Sequence, residues 1–113
     1  MPLPNAENAY VPLSKITRYL LSETHSVGRA KARFFRALGF NERHPELLQE
    51  ALLEVAREGL VRGILETPYG SKYVVDGQLR TPKGELVWIR TIWIVEAGQD
   101  QPRLVTAYPR EEE

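Results

Sequence analysis

The spacing of apolar residues changes once along the chain, at Gly59, from a helical period to strict alternation. Before that point the run Thr24 to Phe40 predicts one helix of three to four turns. Ser26 can cap its start, and Gly39 can end it in a left-handed conformation. Val27, Ala30, Phe34, Phe35 and Leu38 fall on one apolar stripe at about 100° per residue, with Arg29, Arg33 and Arg36 on the opposite side. Lys31 falls inside the apolar stripe, where an ammonium must snorkel, find a partner or act. Upstream, Ser14 can cap a shorter helix that turns Leu13, Ile16, Leu20 and Thr17 inward. Downstream, a third helix begins near Pro45, buries Leu48, Ala51, Leu52 and Val55, and is closed by Gly59.

After Gly59 four alternating segments predict strands: Leu60 to Thr67, Ser71 to Leu79, Glu85 to Glu96 and Arg103 to Tyr108. The turns Thr67-Pro68-Tyr69-Gly70 and Thr81-Pro82-Lys83-Gly84 repeat one chemistry, with Pro presetting φ and Gly taking the last position. Such tight connections join antiparallel neighbours. The expectation is an α+β fold: about three N-terminal helices packed on a four-stranded antiparallel meander. The third strand is the most apolar and is expected to be central. Val87, Ile89, Trp93 and Val95 point one way, and Leu86, Trp88, Ile92 and Ile94 the other. Arg90 and Thr91 interrupt the two rows. Leu104, Thr106 and Tyr108 are expected on one side of the last strand, forming a polar patch with Arg90.

A chain of 113 residues with 42% hydrophobic content supports one core. Residues 1–12, with three prolines, read as an extended arm laid along the core through Tyr10 and Val11. Residues 13–109 read as the α+β domain, and 110–113 as an acidic tail. The absence of cysteine excludes disulfide scaffolds and thiolate chemistry. No apolar run approaches a membrane span and no signal peptide is visible, so a cytoplasmic location without membrane contact is expected. The formal net charge is zero but unevenly spread. Residues 14–36 carry a net charge of +5 and residues 37–60 a net charge of −3. Glu46, Glu50 and Glu54 form an acidic row on the third helix, read as a solvated face.

Candidate chemistry is sparse. P-loop, dinucleotide-binding and H-E-x-x-H motifs are missing, and two distant histidines without an acidic cluster argue against a metal site. No cofactor is expected. His25 stands ahead of the basic helix, where free N–H groups favour an anion. His44, beside Pro45, reads as a helix-start residue. Arg90 reads as an ion-pair partner, of an acid on the third helix for instance, or as a phosphate ligand. One histidine, cations and hydroxyls suit RNA cleavage through the 2′-OH: a base takes its proton, cations hold the phosphate, and an acid protonates the leaving oxygen.

The runs Y-L-L-S-E-T-H-S-V-G-R-A-K-A-R-F-F-R-A-L-G-F, T-P-Y-G-S-K-Y-V-V-D-G, R-T-I-W-I-V-E and P-R-L-V-T-A-Y-P resemble a small bacterial family of uncharacterised, toxin-like domains over roughly residues 10 to 109. The order of elements and the closing T-A-Y-P also resemble the barnase, EndoU, colicin and RelE group of ribonuclease toxins. That resemblance implies a catalytic set of His25, Lys31, Arg90, Thr106 and Tyr108, with Arg29, Arg33, Arg36 and Arg103 binding phosphate or RNA. His25 would be the base, Lys31 and Arg90 phosphate binders, and Thr106 a donor to phosphate. The general acid is left among Lys31, Tyr108 and water. The expected function is a metal-independent ribonuclease toxin held by an antitoxin protein. The alternatives are a non-enzymatic binding module, such as an antitoxin or adaptor, and a helix-turn-helix DNA binder built from Lys15–Leu21 and Ser26–Leu38.

Overall fold

The computed structural model describes residues 2–22, 24–25 and 29–110. These form α1 (Leu13–Lys15), which runs on as a π-helical turn (Ile16–Leu20), then α2 (Arg29–Ala37) and α3 (Pro45–Glu58). Strands β1 (Leu60–Thr67), β2 (Gly70–Arg80), β3 (Leu86–Glu96) and β4 (Arg103–Pro109) follow. The sheet is an antiparallel meander in the order β1-β2-β3-β4, so the fold is α+β with its helices ahead of the sheet. β3 is hydrogen-bonded on both sides, as its apolar character predicts.

The helices cover the sheet face that carries Val75, Gly77, Leu79, Ile89, Thr91 and Trp93. Trp93, Phe35, Phe40, Ile16, Leu20, Leu48, Leu52 and Leu104 fill the core between them. α3 packs closely on β2 at Gly77, where a Cβ would lie 3.1 Å from a Val55 methyl. Thr91 is fully buried on this face and is satisfied locally. Its hydroxyl donates to the Val75 carbonyl at 2.8 Å and accepts from the Trp93 indole at 2.7 Å. The N-terminal arm adds to the core through Leu3, Ala6 and Val11, and Tyr10 makes a parallel bridge to Arg103.

Three local expectations are corrected. The buried residues of α2 are Ala32 and Phe35, while Ala30 is exposed. Phe35 packs edge-on against both Phe34 and Phe40, and seating this ring sets the helix rotation. Ser26 and Val27 lie outside the described residues. The helix ends as expected: Gly39 has φ 104°, its N–H bonds to Arg36, and Phe40 N–H bonds to Phe35, a Schellman closure. In the first helix, Leu13 and Thr17 are exposed, whereas Ile16, Leu20 and Leu21 are buried. The Leu21 N–H bonds to Ile16, five residues back, and this wider turn replaces the 3.6-residue face assumed from spacing. Finally, β4 carries a bulge at Val105. Leu104 pairs with Trp93 in the core, whereas Thr106 pairs with Ile92 and Tyr108 with Arg90 on the opposite alternation. Leu104 therefore does not share a side with Thr106 and Tyr108.

Candidate functional site

Tyr19 sits on the π-helical turn, and four groups converge on it. Its hydroxyl shares a 3.0 Å hydrogen bond with the Thr106 hydroxyl of edge strand β4. The His25 ring stands edge-on to it, 5.1 Å between centroids and inclined by 77°. Lys15 Nζ lies 5.2 Å and Lys31 Nζ 5.7 Å from the ring centroid, within reach of its negative face. A shallow cleft of about 450 Å³ opens here, lined by Ser14, Lys15, Arg18, Tyr19 and His25. His25 is held in place by its backbone: its N–H bonds to Ser22 Oγ, and its carbonyl accepts from Arg29 N–H at 3.0 Å. Lys31 reaches Tyr19 by snorkelling from the border of the α2 core face. The aromatic ring gives both ammoniums a neighbour without neutralising them, so their charge stays available to an anion.

A second cluster occupies the sheet face away from the helices. Register places Asp76 opposite Arg90, and Arg90 opposite Tyr108. Arg90 grips the Asp76 carboxylate with both arms of its fork, Nε at 2.7 Å and Nη2 at 2.8 Å. Arg110 adds a contact at 3.2 Å and Arg62 one at 3.5 Å, so three guanidiniums surround one carboxylate that is 1% exposed. The hydrogen bond from Arg90 holds the Asp76 carboxyl below its ordinary range, against the opposing effect of burial. The same bond raises Arg90, with a further contribution from Tyr108. Arg90 thus takes its acid from β2, not from α3. Thr106 and Tyr108, two residues apart on one strand row and hence about 7 Å from each other, join the two clusters into one polar band.

The remaining predicted residues lie elsewhere. Arg29 and Arg33 are exposed on α2. Arg36 is tied down by the Leu21 carbonyl and Glu42, each at 2.7 Å, which makes it a clamp between α2 and its flanking loops. Arg103 pairs with Glu96 at the far end of β4. His44 stands at the start of α3, 3.4 Å from Glu46. Among the described residues no group of three or more His, Cys, Asp or Glu could hold a metal ion. No described helix is long and apolar enough to cross a membrane.

Tyr19, Lys15 and Asp76 are the members that sequence reasoning missed. Tyr19, between Arg18 and Leu20, carried no signal of its own, and the π-helical turn presents it to Thr106 on β4. Asp76, a charge within an apolar strand, was the one signal available.

Fold and site define a small α+β domain with a cationic, aromatic cleft at the edge of a meander sheet. The chain belongs to the family described as a domain of unknown function (DUF6883), whose model matches residues 2–111. A solved structure, a contact-dependent growth inhibition toxin–immunity protein complex from Klebsiella pneumoniae 342, contains a chain with the same fold. The TM-score is 0.69 at 16% identity, over 95% of this chain and 97% of that one. A search of curated proteins gives no match.

The role of Tyr19 as the hub is testable by stability. Tyr19→Phe loses only the bond to Thr106 and is expected to cost about 1 kcal/mol. Tyr19→Ala, which also removes the ring from His25 and both lysines, costs more. Urea unfolding of the two variants measures this, and equal costs would mean that the ring contacts contribute nothing.

Proposed function

We propose that this domain is a toxin-type, metal-independent ribonuclease. The observation that carries the reading is the convergence of His25, Lys15, Lys31 and Thr106 on Tyr19. That set contains a base, two cations and two hydroxyls beside an open cleft. In the proposed reaction His25 takes the 2′-OH proton as that oxygen attacks the adjacent phosphorus. The bond to the 5′ oxygen breaks, leaving a 2′,3′-cyclic phosphate. Lys15 and Lys31 balance the charge that builds on the phosphoryl oxygens, and Thr106 donates to one of them. The leaving oxygen is protonated by Tyr19, Tyr108, Lys31 or water. Tyr108 on β4, and Arg90 opposite it on β3, continue the polar band from Thr106. The similarity in fold to a chain of a toxin–immunity complex supports a toxin role and a protein partner. That similarity equally fits the immunity half of such a pair. Expression distinguishes the halves, since a toxin slows growth and an immunity protein does not. A DNA-binding role through α2 is the weaker reading, because Phe35 on that helix is fully buried.

Purified domain is expected to cleave single-stranded RNA in excess EDTA, giving products that end in a cyclic phosphate. Cleavage only after addition of magnesium or manganese, or no cleavage at all, would overturn the mechanism.

A further inference from the structure

The Asp76 cluster holds more positive charge than its own ion pairs use. Three guanidiniums face one carboxylate, so among the described residues their ion pairs use one charge of three. Their side chains remain open to solvent, at 46% for Arg62, 36% for Arg90 and 32% for Arg110. Asp76 itself is buried beneath them at 1%. The buried carboxylate holds the Arg90 fork by both its arms and touches Arg62 and Arg110 through one nitrogen each, so part of the rotamer freedom is already lost before an anion arrives. Aromatic surface lies beside them: Arg110 stacks 5.3 Å from the ring of Trp88, which is 40% exposed, and Tyr108 stands next to Arg90.

We infer that Arg62, Arg90 and Arg110, gathered by Asp76, form a second phosphate site for single-stranded RNA, with Trp88 as the platform on which a base stacks. The inference rests on the ribonuclease reading and adds where the strand runs. Glu54 and Glu58 form the α3 wall of a hollow that Arg62, Asp76 and Trp88 also line, so the phosphates of a polyanion are turned away from that wall. The open course leads past Arg110 and Tyr108 to Thr106 and the Tyr19 cleft. Thr106 and Tyr108 are about 7 Å apart, and Arg90 is one strand further, about 5 Å. These steps match a bound strand whose scissile phosphate lies in the cleft and whose next one or two phosphates reach the arginines. A basic track with interleaved aromatic rings binds single strands with little sequence preference.

The test is a salt titration of binding to a fluorescent single-stranded oligoribonucleotide, read by anisotropy, in a His25→Ala background that leaves the RNA intact. Arg62→Gln with Arg110→Gln is expected to weaken binding about tenfold and to lower the slope of log affinity against log salt by about 1.4, the single-strand value for two phosphate contacts. Arg62→Lys with Arg110→Lys, which keeps the charge, retains the parent slope. Trp88→Ala weakens binding about tenfold with the slope unchanged, and keeps the proposal testable if the double glutamine variant fails to fold. Parent-like affinity and slope in the glutamine variant, or parent-like affinity in Trp88→Ala, would overturn the second site while leaving the cleft reading intact. Absence of any salt-dependent RNA binding by the His25→Ala parent would overturn both.

Discussion

Expression of the domain is expected to slow bacterial growth, and His25→Ala is expected to relieve that inhibition while RNA cleavage falls about 10²- to 10⁴-fold, the range for loss of a positioned general base. The expectation follows from where His25 sits. Its backbone is fixed on both sides by Ser22 Oγ and Arg29 N–H, and its ring is fixed against Tyr19. The substitution removes the imidazole and leaves the backbone bonds. Tyr19 keeps its bond to Thr106, so the fold is retained and the loss is one of chemistry. Circular dichroism of the variant checks the fold, and a gel assay of RNA cleavage checks the activity. Growth that is the same with parent and variant, with both folded, would remove the toxin reading and leave the binding module.

Asp76→Ala is expected to have the largest effect on stability, about 3 kcal/mol. This is the low end of the range for breaking a buried pair, because the arginines left behind are partly exposed and can hydrate. The effect depends on pH with a definite sign. The Arg90 hydrogen bond depresses the folded-state pKa of Asp76, so its contribution is full above the unfolded value, about 3.9, and is lost as pH falls through the lower folded value. Asp76→Asn keeps the shape and cannot titrate. The gap in unfolding free energy between parent and Asp76→Asn should therefore be widest near neutral pH and should close as pH drops below about 4. Urea unfolding at a series of pH values measures it. A gap that is constant with pH would show that the carboxylate charge contributes nothing.

Most of the fold was legible because its signals are local. Alternation after Gly59 marks four strands, paired Thr-Pro-x-Gly turns make them neighbours, and Pro45 and Gly59 bracket α3 at its observed ends. Gly39 marks the end of α2 for a reason visible in one residue, a left-handed φ that costs a side chain energy. The candidate site was less legible. His25 and Lys31 drew attention as local anomalies, a histidine ahead of a basic helix and a charge within an apolar stripe. Arg90 and Thr106 did so as polar positions in apolar strands.

What gathers these residues is not local. The sequence by itself determined the elements, their order and the antiparallel meander, because period, turn chemistry and caps are set by near neighbours. The tertiary structure alone decided that Tyr19 stands beside His25 and Lys31. A π-helical turn rotates Tyr19 towards the sheet edge, and the bulge at Val105 sets the row from which Thr106 meets its hydroxyl. It also decided that Arg90 answers to Asp76, since that pairing depends on β2–β3 register, a relation between residues fourteen apart that no local period encodes.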